Sequence, residues 1–244
     1  MLTTEQIEAY RRDGFLVLPE FLEAGVLADL RAAYDEVIER QVHADGDRML
    51  GGITRQVMFP AWAHPTFDRN AAVRRGIEIA RRLLGMDEVH RSFDMLIYKP
   101  PGHPHETPWH QDMAYSGHPV AKPGLTIPLE SIQFWVALDD VDEETGCMQF
   151  MPGFHVQPLL PHHVAAGDPT DDSRLLAIVD PERQLDLHTV VAAPLAAGGA
   201  TLHSYGTPHY TGPNRSRTRP RRAYIFNVAT PHGIRFLLGL ADEH

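Results

Sequence analysis

Helical periodicity confined to the first third of the chain, short alternating strands through the remainder, and Pro-Gly turns between them predict a mainly β protein. Helices followed by many short antiparallel strands describe a double-stranded β-helix (jelly roll, cupin-like) braced by N-terminal helices. At 244 residues, with no internal repeat, low-complexity segment or clear linker, one domain over 1–244 is expected. Its 1–90 part should be mainly helical and its 91–230 part should form the jelly-roll core.

Each element has a local reason. Thr3-Thr4-Glu5-Gln6 fits a capping box that opens a helix stopping near Gly14. Phe15 to Pro19 reads as a short strand. From Glu23 to Glu39, Leu27, Leu30, Ala33, Tyr34, Val37 and Ile38 recur at helical spacing. Val42 to Pro65 is expected to be irregular, either packed or a substrate lid, because it is long and carries Gly51-Gly52. A third helix is expected over Asn70 to Leu84, ended by Gly85. Strands are then expected at Arg91 to Lys99, Trp109 to Met113, Ser131 to Leu138 and Cys147 to Met151. Pro161 to Asp180 reads as an acidic loop. His188 to Ala193, Ala200 to Ser204 and Ala223 to Ala229 complete the strands, with Gly198-Gly199 making a turn.

Composition narrows the function. The formal charge of −10 argues against general nucleic-acid binding. One cysteine, Cys147, allows no internal disulfide and no cysteine-based zinc site, which fits a reducing interior. No basic segment followed by an apolar core opens the chain, and no apolar run approaches the roughly 20 residues that span a bilayer. A cytoplasmic protein without membrane or nucleic-acid partners is expected, its oligomeric state open.

Fifteen histidines make any single pattern match weak, so context decides. His-x-Asp occurs at His43-Ala44-Asp45 and at His110-Gln111-Asp112. The first follows a helix, where residues i and i+2 do not share a face, and reads as a solvated turn. The second reads as a strand, where His110 and Asp112 project from one face. A distant third ligand would complete a two-histidine, one-carboxylate triad, which leaves one side of an octahedral iron(II) open. His209 and His203 are the two candidates for that ligand.

The distal run His209-Tyr210-Thr211-Gly212-Pro213-Asn214-Arg215-Ser216, followed by Arg221-Arg222-Ala223-Tyr224, carries a family likeness. With it go Asp13-Gly14-Phe15, Lys99-Pro100-Pro101-Gly102 and Trp135-Val136-Ala137-Leu138-Asp139-Asp140. Glu144-Thr145-Gly146-Cys147-Met148 and Met151-Pro152-Gly153-Phe154-His155 complete the set. In this order the motifs resemble the phytanoyl-CoA dioxygenase family of iron(II)/2-oxoglutarate oxygenases across most of the chain. Phe154 departs from the family's small hydroxyl residue, and one extra residue separates His209 from Arg221.

The resemblance implies a non-haem dioxygenase using Fe(II), 2-oxoglutarate and O2, with His110, Asp112 and His209 holding the metal. It places the third ligand at His209 rather than His203. Arg221 is implied as the partner of the far carboxylate of 2-oxoglutarate, since Arg-x-Ala-Tyr aligns there, and a guanidinium binds a carboxylate through two parallel hydrogen bonds. Arg219 and Arg222 are then expected to be solvated. Thr211, Lys99 and Trp135 match positions near the cosubstrate. Asp112 argues against halogenation, because halogenating relatives carry a small residue there.

Substrate residues are sought beside the metal strand and in the long loop: Arg55, Met58, Phe59, Trp62, Met95, Met113, Tyr115 and Gln133. Their mix suggests a small, mostly apolar molecule with a few polar handles, such as a secondary metabolite, oxidised at a C–H bond. Two other readings stand beside this one. A zinc hydrolase could use the same His2Asp site but would not need Arg221. A catalytically silent binding protein would keep the fold without needing an intact triad.

Overall fold

The computed structural model describes residues 2–40, 46–116 and 123–240. In chain order the elements are α1 (Thr4–Asp13), β1 (Phe15–Leu18), α2 (Ala24–Arg40), β2 (Asp47–Leu50), β3 (Thr54–Met58), α3 (Pro60–Ala63), α4 (Pro65–Asp68), α5 (Ala71–Leu84), β4 (His90–Lys99), β5 (Thr107–His110), β6 (Ser131–Ala137), β7 (Met148–Phe150), β8 (His162–Ala166), β9 (Leu175–Ile178), α6 (Pro181–Gln184), β10 (Val191–Ala193), β11 (Ala200–Ser204), β12 (His209–Thr211), β13 (Arg221–Ala229) and α7 (Pro231–Leu237).

The strands form a seven-stranded sheet, β1-β11-β6-β13-β4-β3-β2, and a four-stranded sheet, β10-β7-β12-β5, with β8 and β9 as a separate hairpin. Every pairing within them is antiparallel. This is the jelly roll that the alternating strands predict.

The large sheet is covered on both faces, which explains why β6 is apolar and buried along its whole length. Its outer face carries Leu16, Leu202, Phe134, Val136, Tyr224, Phe226 and Leu96, which pack with α2 and α5. Phe134 stacks on Phe226 at 4.8 Å. Burying one such ring contributes about 1.5–3 kcal/mol. The inner face carries Phe15, Trp135, Ala137, Ala223 and Ile225, which meet Met148 and Phe150 of the small sheet. The metal-ligand candidates lie at one end of this inner layer.

The local signals at the helix ends are realised. Thr3 and Gln6 make the reciprocal capping box of α1, and Gly14 ends it at φ 81. Asn70 caps α5 by accepting from the Val73 N–H, and Gly85 closes it in the left-handed region. Helix α5 buries Val73, Gly76, Ile79, Ala80 and Leu83, positions that fall on one helical face.

Several expectations need correction. The stretch expected to be irregular between the second and third helices contains the hairpin β2–β3, which extends the large sheet beyond β4. The N-terminal part is thus woven into the sheet at both edges, through β1 on one side and β2–β3 on the other. The acidic stretch Pro161 to Asp180 contains β8 and β9. The strands are short, and the residues between them are polar and acidic, so the stretch reads as a loop. The strand expected from Trp109 to Met113 instead ends at His110, and Asp112–Tyr115 forms a 3-10 turn. No helix among the described residues is long and apolar enough to cross a membrane.

Candidate metal centre

His110 is the last residue of β5, and its neighbour across the strand pair is His209, the first residue of β12. Their rings lie 4.1 Å apart between centroids. Asp112 sits two residues beyond His110, at the start of the 3-10 turn. Gln111 between them keeps an extended backbone, φ −113 and ψ 132, so His110 and Asp112 still project to one side although the strand has ended. One ligand atom from each of His110, Asp112 and His209 lies within 4.8 Å of the others. The other His-x-Asp, His43-Ala44-Asp45, lies outside the described residues.

Hydrogen bonds set the tautomers. His110 Nδ1 meets the Pro108 carbonyl oxygen at 2.7 Å, and His209 Nδ1 meets that of Thr207 at 3.0 Å. A carbonyl can only accept, so each Nδ1 carries the proton and each Nε2 lone pair is bare. Both Nε2 atoms face Asp112 Oδ1, at 3.8 and 3.6 Å. Burial lowers the pKa of both rings, so they stay neutral. Burial pushes the Asp112 carboxyl up, but facing His209 and the hydrogen bond from His203 outweigh it and hold the group below the usual carboxylate range. Two neutral imidazoles and one carboxylate form the donor set that a divalent iron takes.

His203 has the opposite tautomer. Its Nε2 lies 2.9 Å from Asp112 Oδ2, a carboxylate oxygen, so Nε2 carries the proton. Its Nδ1 is buried without a partner among the described residues. Gln133, opposite His203 in the β11–β6 register, donates from Nε2 to the same Oδ2 at 2.8 Å. Oδ2 is thereby saturated, and Oδ1 is left facing the two bare nitrogens. Gln133, expected as a substrate contact, thus has its amide nitrogen engaged by Asp112.

Gln111 holds the ligand-bearing segment from both sides. Its amide donates to the Gly206 carbonyl at 2.8 Å and accepts from the Leu160 N–H at 2.9 Å. Its backbone N–H donates to His162 Nε2 at 3.1 Å, and His162 Nδ1 meets the Leu160 carbonyl. His162, expected to be a plain loop residue, is thus a strand residue that supports the segment between two ligands. The Gln after the first histidine was visible in the sequence, but its distant partners were not.

Farther along the inner layer lie two cations. Arg221 opens β13 opposite Lys99 of β4. Arg221 is 1% exposed, donates from Nη1 to the Gly146 carbonyl at 2.8 Å, and leaves Nε without a partner among the described residues. Its guanidinium lies 5.4 Å from the Trp135 ring centroid. Burial lowers its pKa only to about 10, so it remains charged. Lys99 donates to the Thr211 hydroxyl at 3.0 Å and to the Gly212 carbonyl at 2.9 Å. Burial, reinforced by Arg221, pushes the Lys99 pKa well down. Among the described residues no carboxylate pairs with either. Arg222 faces the other way and pairs with Asp139 and Asp35, each at 2.7 Å, so it is engaged rather than solvated as expected. Half-buried Arg219 pairs with Asp142 and Glu144.

The remaining substrate candidates divide. Met95 stands on the inner face, paired with Met58 across β3–β4, and Tyr115 meets the His110 ring edge-on at 5.7 Å. Arg55 lies in a bidentate pair with Asp47 and also reaches the Ile38 carbonyl, so its guanidinium is occupied elsewhere. Phe59 stacks on Trp62 at 4.4 Å, Trp62 is 74% exposed, and the structure does not bring these two to the triad. Met113 is fully buried in a satellite core with Ala114, Ile127, Leu159, Leu176 and Tyr205.

Residues 10–223 match the family described as Phytanoyl-CoA dioxygenase (PhyH). The phytanoyl-CoA dioxygenase domain-containing protein 1 of Danio rerio is 31% identical over 135 residues, 55% of this chain and 43% of that protein. The chain spans about half the length of the curated phytanoyl-CoA dioxygenases it matches. Among solved structures, EvdO2 from Micromonospora carbonacea var. aurantiaca, complexed with 2-oxoglutarate, superposes with a TM-score of 0.78 at 32% identity, covering 94% of this chain and 91% of that one. The epimerase SnoN, in complex with Fe3+, alpha ketoglutarate and nogalamycin RO, has a TM-score of 0.70 at 26% identity, covering 98% and 91%.

Proposed function

The chain belongs to the phytanoyl-CoA dioxygenase family, and from that premise we propose that it is an Fe(II)/2-oxoglutarate-dependent dioxygenase acting as one oxygenase domain. Its substrate is a small, mostly apolar organic molecule oxidised at a C–H bond, and secondary metabolites are the favoured class. A cytoplasmic location accompanies this reading. His110, Asp112 and His209 would hold the iron, and the residues fit it, because both Nε2 lone pairs are bare and one carboxylate oxygen is left free. Iron, 2-oxoglutarate and O2 together supply the oxidising equivalents for the C–H bond.

The chain's own residues bind, orient and exclude water. Arg221 would take the far carboxylate of 2-oxoglutarate, offering its unpartnered Nε and the remaining guanidinium edge, with Thr211 and Lys99 beside it. Trp135 covers the guanidinium face. Gln133 and His203 hold Asp112 so that one oxygen points at the metal position. Tyr115 and Met95 bound the approach for substrate.

The observation that carries the reading is the buried, uncompensated Arg221 in the same barrel as the triad. A buried charge without a partner is costly, so its presence implies an anionic ligand. A zinc hydrolase has no use for that cation, and a silent binding protein has no use for the prepared tautomers. The test is oxygen uptake and succinate formation by purified protein. Both should require Fe(II) and 2-oxoglutarate and stop when Zn(II) replaces Fe(II). Hydrolytic turnover with Zn(II), or no 2-oxoglutarate consumption with Fe(II), would refute the proposal.

A further inference from the structure

Resting on the oxygenase reading, the geometry points to Arg48, with Gln56 and Tyr115, as a subsite for an anionic oxygen group of the substrate, a carboxylate or a phosphate. Strands β2, β3 and β4 place Arg48, Gln56 and Ile97 in one register row. Ile97 packs into the inner cluster, so Arg48 and Gln56 share that inward face. Arg48 Nε donates to Gln56 Oε1 at 2.7 Å, and among the described residues no carboxylate pairs with Arg48. Among the described residues the Gln56 amide nitrogen reaches only the Met95 sulfur, at 2.9 Å, which is a weak acceptor. The Tyr115 hydroxyl accepts the Leu176 N–H at 2.8 Å, which leaves its own proton undirected.

Tyr115 sits beside the metal position. The Tyr115 ring meets His110 edge-on, and its hydroxyl lies within electrostatic reach of Asp112, Arg174 and Arg48. Two hairpins lock the arrangement together. The Gly51 N–H, in the β2–β3 turn, donates to the Ser173 carbonyl just before β9 at 2.6 Å. A Cβ on Gly51 would come within 2.8 Å of Leu175 Cβ, and one on Gly167 within 3.2 Å of Gly51 Cα. The backbone approach is therefore close enough to fix Arg48 relative to Leu176 and Tyr115.

All three groups have donor capacity to spare, and among the described residues no carboxylate forms an ion pair with Arg48, although Asp172 and Asp171 act on it from beyond pairing distance. Half-burying a guanidinium against a neutral amide costs free energy that an anionic ligand offsets. Arg48 is not a second clamp for 2-oxoglutarate, because β13, β4, β3 and β2 separate it from Arg221 by three strand spacings, roughly 14 Å. The partnered arginines nearby mark the contrast: Arg55 is closed by Asp47, and Arg174 by Asp172 at 3.5 Å.

The experiment uses full-length protein loaded with Mn(II) and 2-oxoglutarate. Three probes share a phenyl body: 3-phenylpropanoate, 2-phenylethyl phosphate and neutral 3-phenylpropanamide. NMR titration reads their affinity, and broadening by Mn(II) reads their distance from the metal. At least one anion should bind about tenfold or more tightly than the amide, next to the metal. Arg48→Leu should erase that preference and Arg48→Lys should keep part of it. Which anion leads distinguishes carboxylate from phosphate. Equal binding of the amide and both anions, or an anion preference that survives Arg48→Leu, would overturn the subsite. Iron- and 2-oxoglutarate-dependent succinate formation is measured on the same wild-type protein. Its absence with the anion preference intact refutes the oxygenase reading alone, and its presence without the preference refutes the subsite alone.

Discussion

Three histidines meet one aspartate, and proton placement separates their roles. His110 and His209 carry the proton on Nδ1, whereas His203 carries it on Nε2. The carbonyls of Pro108 and Thr207 make this distinction, and each lies two residues before its histidine. Spacing alone left His203 and His209 as rivals, since nothing local says which ring meets a carboxylate oxygen. Removing Asp112 with Ala should abolish turnover and weaken iron binding, because two imidazoles hold the ion poorly. Gln133→Leu and His203→Phe each leave Asp112 Oδ2 one donor short, and each should weaken Mn(II) binding about 10–100-fold. Calorimetric titration checks this, and unchanged affinity in both would mean that Asp112 is oriented by other contacts. Arg221→Ala should raise the KM for 2-oxoglutarate with little change in Mn(II) affinity. Losing one partner of a buried charge pair costs about 2–5 kcal/mol, which is tens- to thousands-fold in affinity. Arg222→Ala should instead lower stability, because Asp139 loses its main cation, and leave that KM near its starting value. The reverse pattern would show that the extra residue before Arg221 had exchanged the two roles.

At the level of elements, legibility followed how local the cause is. The capping box at Thr3 and Gln6 and the caps Asn70 and Gly85 are decided within a few residues, and they are found where the sequence placed them. Strand β6 was legible because burial on both faces makes it continuously apolar. The hairpin β2–β3 was not, because charged residues on one face pair across strands, as Asp47 does with Arg55, and pairing at that range leaves no local pattern. Strands β8 and β9 were not, because each is only four or five residues long and they are joined by a polar, acidic stretch. The substrate residues suffered most. Which arginine meets a carboxylate is a tertiary fact, and it separates Arg55 from Arg48. Element β4 also carries a titration that the sequence does not reveal. Burial raises Asp94 to about 6, against the lowering effect of Arg91 and of hydrogen bonds from the Ala61 N–H and Tyr224. The native state therefore holds a proton that the unfolded chain, titrating near 3.9, has released. This contribution to stability is full below about pH 4 and is lost as pH rises through about 6. Asp94→Asn should flatten that slope, changing the pH 4 to pH 7 difference by about 2 kcal/mol in urea unfolding. An unchanged slope would assign the titration to another group. Gly146 gives a second element-scale case. It sits at φ 82, a Cβ there would collide with the Gly212 carbonyl oxygen, and its own carbonyl receives Arg221. Gly146→Ala should weaken 2-oxoglutarate binding through displaced Arg221 while leaving the triad residues in place, which a KM and Mn(II) titration on one preparation would separate.

Across the whole molecule, the proposed ligands join parts that the chain leaves separate. His110 and His209 belong to the small sheet, while Asp112 is gripped by Gln133 and His203 of the large sheet. A metal ion on the triad would therefore tie the two sheets together at one end of the barrel. 2-Oxoglutarate, reaching from that ion to Arg221 and Lys99, would extend the tie along the inner layer. Both ligands bind the folded chain and not the unfolded one, so stability must rise with their concentration. At one hundred times the dissociation constant the gain is about 2.7 kcal/mol. For a chain of this size each kcal/mol moves the melting temperature by about 2–4 °C, so Mn(II) alone should raise it by roughly 5–10 °C. 2-Oxoglutarate added without metal should do little, because its keto-acid end has nothing to chelate. Added with Mn(II), it should raise the melting temperature further. Asp112→Ala should lose the metal shift, and Arg221→Ala should keep the metal shift but lose the additional one. These are expected outcomes of thermal unfolding followed by circular dichroism. A 2-oxoglutarate shift that is independent of metal, or one that survives Arg221→Ala, would mean that the cosubstrate does not bridge the two positions, and the coupling between triad and cation site would have to be abandoned.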